Sequence, residues 1–301
     1  MNNKYLPFNN PVIHGLFADP DIIKYEDTYY LYPTTDGNNW SDTSFHAFWS
    51  KNLHEWHDCG VIFDVKSCNT KWSSGMAWAP AIIERNGYFY LYYCANQKIG
   101  VARSTSPTDV FENLSVEEPL LDYPHVNSHI DICQIIDPFI FTEHGHYYLL
   151  FGNGISPAII ELNDDMCSVN WDTLHQFTFC GDSEFCEAIC VFKYQDIYYF
   201  SWSCNDTRSE DYHVNYGISS SLFGPIKVKG TLLQKDASKN RLAPGHHTIL
   251  QDEEIFYIAY HRFCTDTSMN FQGDERGYNR EVCMNRLTVI PEHQELIIKF
   301  E

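Results

Sequence analysis

The chain has 301 residues, 44% of them hydrophobic and 16% aromatic, and a formal net charge of −20. That charge excludes nucleic acid and anionic membranes as partners, because both need Lys/Arg patches to offset phosphate. An uncharged glycan is not repelled.

No stretch approaches the roughly 20 apolar residues of a membrane span. Met1 to Pro7 contains no apolar run of the kind a signal peptide needs. Eleven cysteines, an odd number without a C-x-x-C pair, fit neither a zinc framework nor a secreted disulfide scaffold. Reduced thiols in the cytoplasm are expected, and the sequons at Asn113 and Asn205 are expected to carry nothing. No Pro/Gly/Ser-rich linker divides the chain, so residues 1–301 read as a single domain.

In chain order, one pattern recurs five times. It starts at Asp19, Ala79, Asp137, Glu187 and His246, whose numbers differ by 60, 58, 50 and 59. Eleven residues after each anchor stands a tyrosine: Tyr30, Tyr90, Tyr148, Tyr198 and Tyr257. An apolar residue sits three positions after each anchor: Ile22, Ile82, Ile140, Cys190 and Ile249. The first unit reads as strands at Ile22-Ile23, Tyr29 to Tyr32, Phe45 to Ser50 and Val61 to Phe63. The second has Ala81 to Ile83, Tyr88 to Tyr93 and Ile99 to Ala102, with a hairpin at Asn86-Gly87. The third has Phe139 to Phe141, Tyr147 to Phe151 and Ala158 to Ile160. The fourth has Ile189 to Phe192, Tyr198 to Trp202 and Val214 to Ile218. The fifth has Thr248 to Leu250, Ile255 to Tyr260 and Val282 to Val289. Asn205 to Tyr212 and Thr265 to Asn279 read as long loops, which in a compact domain are commonly functional or mobile.

No segment longer than about ten residues has a helical period. Units of roughly 40 to 50 residues with four strands are the size of propeller blades. The expected fold is therefore all-β, a five-bladed β-propeller with a central cavity. If the anchors begin the innermost strands, they converge on one axis. Three of them are carboxylates, Asp19, Asp137 and Glu187, which are costly to bury unless used or paired. Glycoside hydrolysis needs one protonated acid and one ionised carboxylate with pKa values pushed apart. Spacing alone leaves the roles unassigned.

Ala18-Asp19-Pro20-Asp21-Ile22 resembles the first catalytic motif of glycoside hydrolase family 43. Trp78-Ala79-Pro80 followed by Gly87 to Tyr93 is similar to that family's second blade, and Ile136-Asp137-Pro138 to its third. Cys186-Glu187-Ala188 followed by Phe192-Lys193-Tyr194 resembles its Glu-Gly-Pro or Glu-Ala-Pro region. Gly245 to Thr248, Tyr260 to Phe263 and Asn279 to Val282 resemble its last blade. The resemblance covers nearly the whole chain. It implies an inverting enzyme with Asp19 as general base, Glu187 as general acid and Asp137 as modulator of the Glu187 pKa. Arg280 would orient charge near the base, and Trp78 would line the sugar pocket. His246 would reach a structural central ion, often calcium, largely through water. No cofactor is required for the chemistry. The chain departs from the family pattern at Ala81, where an acid is common, and at Ile189.

Each position also has a structural reading: Asp19 and Asp137 as Asx turns, Glu187 as a paired acid, and Arg280 as a partner of Glu281 or Asp274. His246 and Trp78 read equally as core residues. Tyr32 to Gly37 and Ser201 to Arg208 are similar to single-domain exo-acting α-L-arabinofuranosidases of the family. The expected substrate is therefore a short, α-1,5-linked arabino-oligosaccharide. β-Xylosidase and endo-arabinanase are the alternatives. The chain ends just past the fifth blade, which leaves no room for the β-sandwich of the typical xylosidases. A non-catalytic sugar-binding propeller is the reading of another class. Monomer or homo-oligomer is left open.

Overall fold

The computed structural model describes residues 6–300; residues 1–5, within the stretch read above for a leader, and Glu301 lie outside the described residues. Five antiparallel sheets follow one another along the chain. The first blade is Phe17–Tyr25, Thr28–Thr35, Ser44–Ser50 and His57–Asp64; the second is Ala77–Arg85, Tyr88–Ala95, Lys98–Ser104 and Glu112–Asn113. The third is Phe139–Glu143, His146–Phe151, Ala158–Leu162 and Val169–Gln176. The fourth is Phe185–Tyr194, Ile197–Cys204, His213–Ser219 and Ile226–Leu233, with Phe179–Cys180 added in parallel at its outer edge. The fifth is Gly245–Asp252, Ile255–Phe263, Arg280–Ile290 and Glu295–Lys299.

Each innermost strand touches the innermost strand of the next blade, and Gly245–Asp252 returns to Phe17–Tyr25. The fold is a five-bladed β-propeller, as the repeat predicts. The one α-helix among the described residues is the five-residue Tyr123–Asn127.

The second strand of each blade is packed between neighbours, which is why it is apolar. Leu31, Leu91, Leu149, Phe200 and Ile258 are equivalent there, and each is 0% exposed. The hairpin Asn86-Gly87 has φ of 54° and 79°, the two left-handed residues of a tight turn whose twist matches the strands. Blades one and five are joined by side chains. Asp252 takes Lys24 Nζ at 2.5 Å and Tyr29 Oη at 2.6 Å, and Val12 N–H donates to Val282 O at 2.9 Å.

A bulge recurs at the start of four innermost strands, where the pairing register shifts between Ala18 and Asp21, Trp78 and Ala81, Glu187 and Cys190, and Gly245 and His247. The residue that makes it is left-handed: Asp19 (φ 46°), Ala79 (47°), Ala188 (56°) and His246 (36°), with Asp137 (57°) in the same place in blade three. The fourth anchor is therefore Ala188, not Glu187. Cross-strand pairing agrees, because Phe192 faces Tyr199 as Ile23 faces Tyr30 and Leu250 faces Tyr257. The doublet Tyr198-Tyr199 conceals the one-residue offset in the sequence. Glu187 is thus equivalent to Trp78 and Ile136, the residues just before the bulge.

Leu91 lies at the centre of this packing. Leu91→Ala should cost about 2–5 kcal/mol, as deletion of a buried leucine does. Urea unfolding would show it, and a loss under about 1 kcal/mol would contradict the packing described here.

Candidate active site

The bulge re-aims each anchor side chain and leaves its N–H without a ladder partner. A side chain of the preceding blade stands beside that N–H. Ala79 N–H donates to Thr34 Oγ1 (2.7 Å) and His246 N–H to Ser203 Oγ (2.9 Å). His261 Nδ1 lies 3.3 Å from Asp19 N. In blade three the equivalent position is Gly152, which has no side chain, and the N–H of Ala188 acts instead on the Asp137 carboxyl, pulling it down against the larger effect of burial.

At the hub, Asp19, Asp137 and His246 meet, and all three line a cavity of about 250 Å³. Trp78, Ile136 and Glu187 form its wall from the position before each bulge. Six of the twelve residues lining it are left-handed although none is glycine: Asp19, Trp40, Met76, Gln97, Asp137 and His246. Each such residue costs of order 1 kcal/mol or more, and strain of this kind gathers at functional sites.

Asp19 is 6% exposed. Its Oδ1 lies 3.0 Å from Arg280 Nη1, 3.0 Å from His261 Nδ1 and 3.3 Å from His246 Nδ1. His261 Nδ1 cannot serve both the Asp19 N–H and Oδ1. The Oδ1 contact is shorter and goes to an ion, so we assign the proton to Nδ1. Burial works against ionisation of Asp19, but Arg280 and the two imidazoles outweigh it and hold the carboxyl well below the usual range. Arg280 is clamped in turn by Asp36, whose Oδ2 accepts from both Nε and the Arg280 backbone N–H at 2.9 Å, while Oδ1 accepts from Nη2 at 3.2 Å. Arg280 therefore does not partner Glu281, whose carboxylate takes Arg262 and Thr265.

Asp137 and Glu187 go the other way. Burial raises Asp137 far above the carboxylate range, and repulsion from Glu187 and Asp19 adds to it. Its Oδ2 is buried without a hydrogen-bond partner, so no donor there stabilises a negative charge. Burial also raises Glu187, helped by Asp19 and opposed by hydrogen bonds from Tyr212 and Asn153. Tyr212 Oη donates to Oε1 at 2.7 Å and Asn153 Nδ2 to Oε2 at 3.0 Å.

Trp78 donates from Nε1 to Trp40 O at 2.8 Å, and the two rings meet edge to face at 6.2 Å. Both line the cavity. Asp36, Asn153, Tyr212 and His261 partner the charged residues, and Trp40 shapes the wall. Of these only Asp36 and His261 fall within motifs quoted from the sequence. Ala81 and Ile189 lie in the narrow axial channel, not in the cavity wall.

Two carboxyls pushed up beside one held down is the ionisation that acid–base cleavage of a glycosidic bond requires. The profile of Glycosyl hydrolases family 43 matches residues 8–293. The chain belongs to this family. A β-D-galactofuranosidase from Aspergillus niger, xynD, is 28% identical over 295 residues, spanning 92% of this chain and 81% of that one. The extracellular exo-α-(1→5)-L-arabinofuranosidase ArbA of Cellvibrio japonicus is 26% identical over 284 residues, spanning 81% of this chain and 78% of that one. The solved structure of a thermostable family-43 glycoside hydrolase superposes with a TM-score of 0.79, at 25% identity, over 98% of this chain and 96% of that one.

The calcium expected at His246 finds little protein to hold it. Among the described residues no three His, Cys, Asp or Glu groups gather as an ion cage, and His246 Nδ1 faces Asp19. In this family 43 hydrolase the His246 imidazole stands against the Asp19 carboxylate.

Two measurements test the electrostatics. Arg280→Met strands Asp19 and Asp36 without their cation and should cost about 3–5 kcal/mol in urea unfolding at neutral pH; an unchanged midpoint would contradict the clamp. Asp21, buried in the axial channel, is raised to about 7 by desolvation against backbone hydrogen bonds from Ile82 and Ile22. Between the ordinary carboxylate value of 3.8 and about 7, the folded chain holds a proton that the unfolded chain has lost. The contribution of Asp21 to stability therefore falls as pH rises through that window. Asp21→Asn should gain on wild type as pH rises from 4 to 7, and a difference that is flat with pH would contradict it.

Proposed function

We propose that this glycoside hydrolase releases terminal α-L-arabinofuranose from short, α-1,5-linked arabino-oligosaccharides, with inversion at the anomeric carbon. The observation that carries the chemistry is the opposed ionisation of Asp19 and Glu187 across one cavity. The contacts to Asp19 gather on Oδ1, which leaves Oδ2 for a water. Asp19 takes a proton from that water as its oxygen attacks the anomeric carbon. Glu187 gives its proton to the departing glycosidic oxygen. Burial and the charge of Asp19 keep the Glu187 proton in place, Asp137 stands beside it as a second protonated carboxyl, and Arg280 keeps Asp19 ionised. A calcium ion would meet His246 only through water, and no step runs through it.

The furanose preference is supported by the names of two of the relatives, both furanosidases, while others at similar identity are named xylosidase/arabinosidase, β-xylosidase or arabinan endo-1,5-α-L-arabinosidase. The cavity of about 250 Å³ suits one or two sugar rings rather than a long chain, being just below the range of ligand pockets of roughly 300–1,000 Å³. Eleven free thiols support action in a reducing compartment. The A. niger relative gives a second reading, hydrolysis of β-D-galactofuranosides. Nitrophenyl α-L-arabinofuranoside, β-D-galactofuranoside and β-D-xyloside separate these readings, and the first should be cleaved fastest. A clear preference for either of the others would replace the proposed sugar. No released sugar from any of them, or from arabino-oligosaccharides on a chromatogram, would favour a binding propeller.

Asp19→Asn, Asp137→Asn and Glu187→Gln should each lower turnover by about 100- to 10,000-fold without unfolding the chain, the usual contribution of an acid or base. Wild-type rates in any one would remove that residue from the mechanism. Glu187→Gln should be spared on nitrophenyl glycosides, whose leaving group needs little protonation. Equal losses on both substrates would contradict the acid role.

A further inference from the structure

A general acid must be comfortable in two states, and the surroundings of Glu187 raise a question about one of them. Asn153 Nδ2 and Tyr212 Oη both donate to its carboxylate. The protonated form needs an acceptor, and an amide NH₂ cannot accept. A phenol can do both.

Tyr212 is 0% exposed and ends the loop that began at Asn205. Its ring is held on two sides. It stacks on His261 at 5.6 Å with 4° between planes, and a Cβ at Gly245 would lie 2.1 Å from its Cε1. Rotation of the hydroxyl is the freedom left to it. Ser203 is its second neighbour: burial pushes the phenol up, the Ser203 hydroxyl pulls it back, and Ser203 lies directly across the ladder from Glu187. Ser203 is 0% exposed, and its Oγ already accepts the His246 N–H, with one lone pair remaining.

We propose that Tyr212 is a positioning residue for Glu187 that reverses its hydrogen bond as Glu187 gains or loses its proton, with Ser203 as the other partner of its hydroxyl. The proposal rests on the reading of Glu187 as the general acid. In the carboxylate state Ser203 O–H donates to Tyr212 Oη, and Tyr212 O–H donates to Glu187 Oε1. In the acid state Oε1–H donates to Tyr212 Oη, and Tyr212 turns its own proton to Ser203 Oγ. No proton leaves its oxygen in the exchange; two hydroxyls rotate. When substrate binds, Oε1–H turns from Tyr212 to the leaving oxygen, and as that proton is transferred Tyr212 swings back and meets the new charge with a donor. The same ring lies flat on His261, which holds Asp19, so one side chain braces both sides of the reaction.

Tyr212→Phe keeps the ring, the stack and the contact with Gly245, and removes only the hydroxyl. The carboxylate loses a donor, so the Glu187 pKa rises and the alkaline limb of kcat/KM should move up by about one pH unit. On arabino-oligosaccharides kcat should fall on the order of ten- to a hundredfold, with KM changed by less than about threefold, because the lost interaction belongs to the proton transfer. Ser203→Ala should move the same limb in the same direction by less, and it carries the test if Tyr212→Phe melts early. Glu187→Gln is measured alongside. If it abolishes oligosaccharide cleavage while both other variants keep the wild-type alkaline limb, Tyr212 is packing and the proposal is overturned with the acid reading intact. If Glu187→Gln keeps wild-type rates and limb, the acid reading falls and takes the proposal with it.

Discussion

Arg280 sits between Asp19 and Asp36, and the ionisation of the whole cavity follows from that placement. A carboxylate as buried as Asp19 would ordinarily take up a proton. The guanidinium at 3.0 Å prevents it, and Asp36 fixes the guanidinium through its fork and its own backbone N–H. One cation facing two carboxylates leaves a net negative charge at the hub. That charge and burial keep protons on Asp137 and Glu187. Buried ion pairs are poor sources of stability, so this arrangement makes most sense as a means of holding neighbouring carboxyls in opposite states.

The backbone makes the arrangement possible. A propeller brings five strand starts to one axis, but regular strands would point their side chains into blade packing. The repeated left-handed bulge turns Asp19, Asp137 and His246 towards the axis, and in two blades alanine makes it, at positions 79 and 188. The bulge also frees backbone donors, and Thr34 and Ser203 take them from the blade before. The hub side chains and the inter-blade joints thus come from the same local distortion. The strain it stores is held by the sheets behind it.

Much of this was legible in the sequence because it recurs. Tyrosines and apolar residues at fixed offsets reveal the blades, and Asp19, Asp137 and Glu187 stand out as acids where a core residue would serve. Outer strands such as Val169–Gln176 and Ile226–Leu233 were not legible: one face is in solvent, so they lack the apolar run that marks the inner strands. The anchor offset at Ala188 was hidden by adjacent tyrosines. The partners of the acids come from afar: Arg280, 261 positions beyond Asp19, was reached through the family resemblance, while Tyr212, 25 beyond Glu187, was not. No local pattern reports such distances; only the closed ring does.

The central claim is that Asp19 and Asp137, neighbours on one axis, are held in opposite protonation states. The direct measurement is a carbon NMR titration of protein labelled at aspartate carboxyls, with the two resonances assigned through Asp19→Asn and Asp137→Asn. The account predicts that the Asp19 carboxyl stays ionised as pH falls through the ordinary carboxylate range, while the Asp137 carboxyl keeps its proton well above that range. Two resonances titrating together at ordinary values, or in the reverse order, would contradict it.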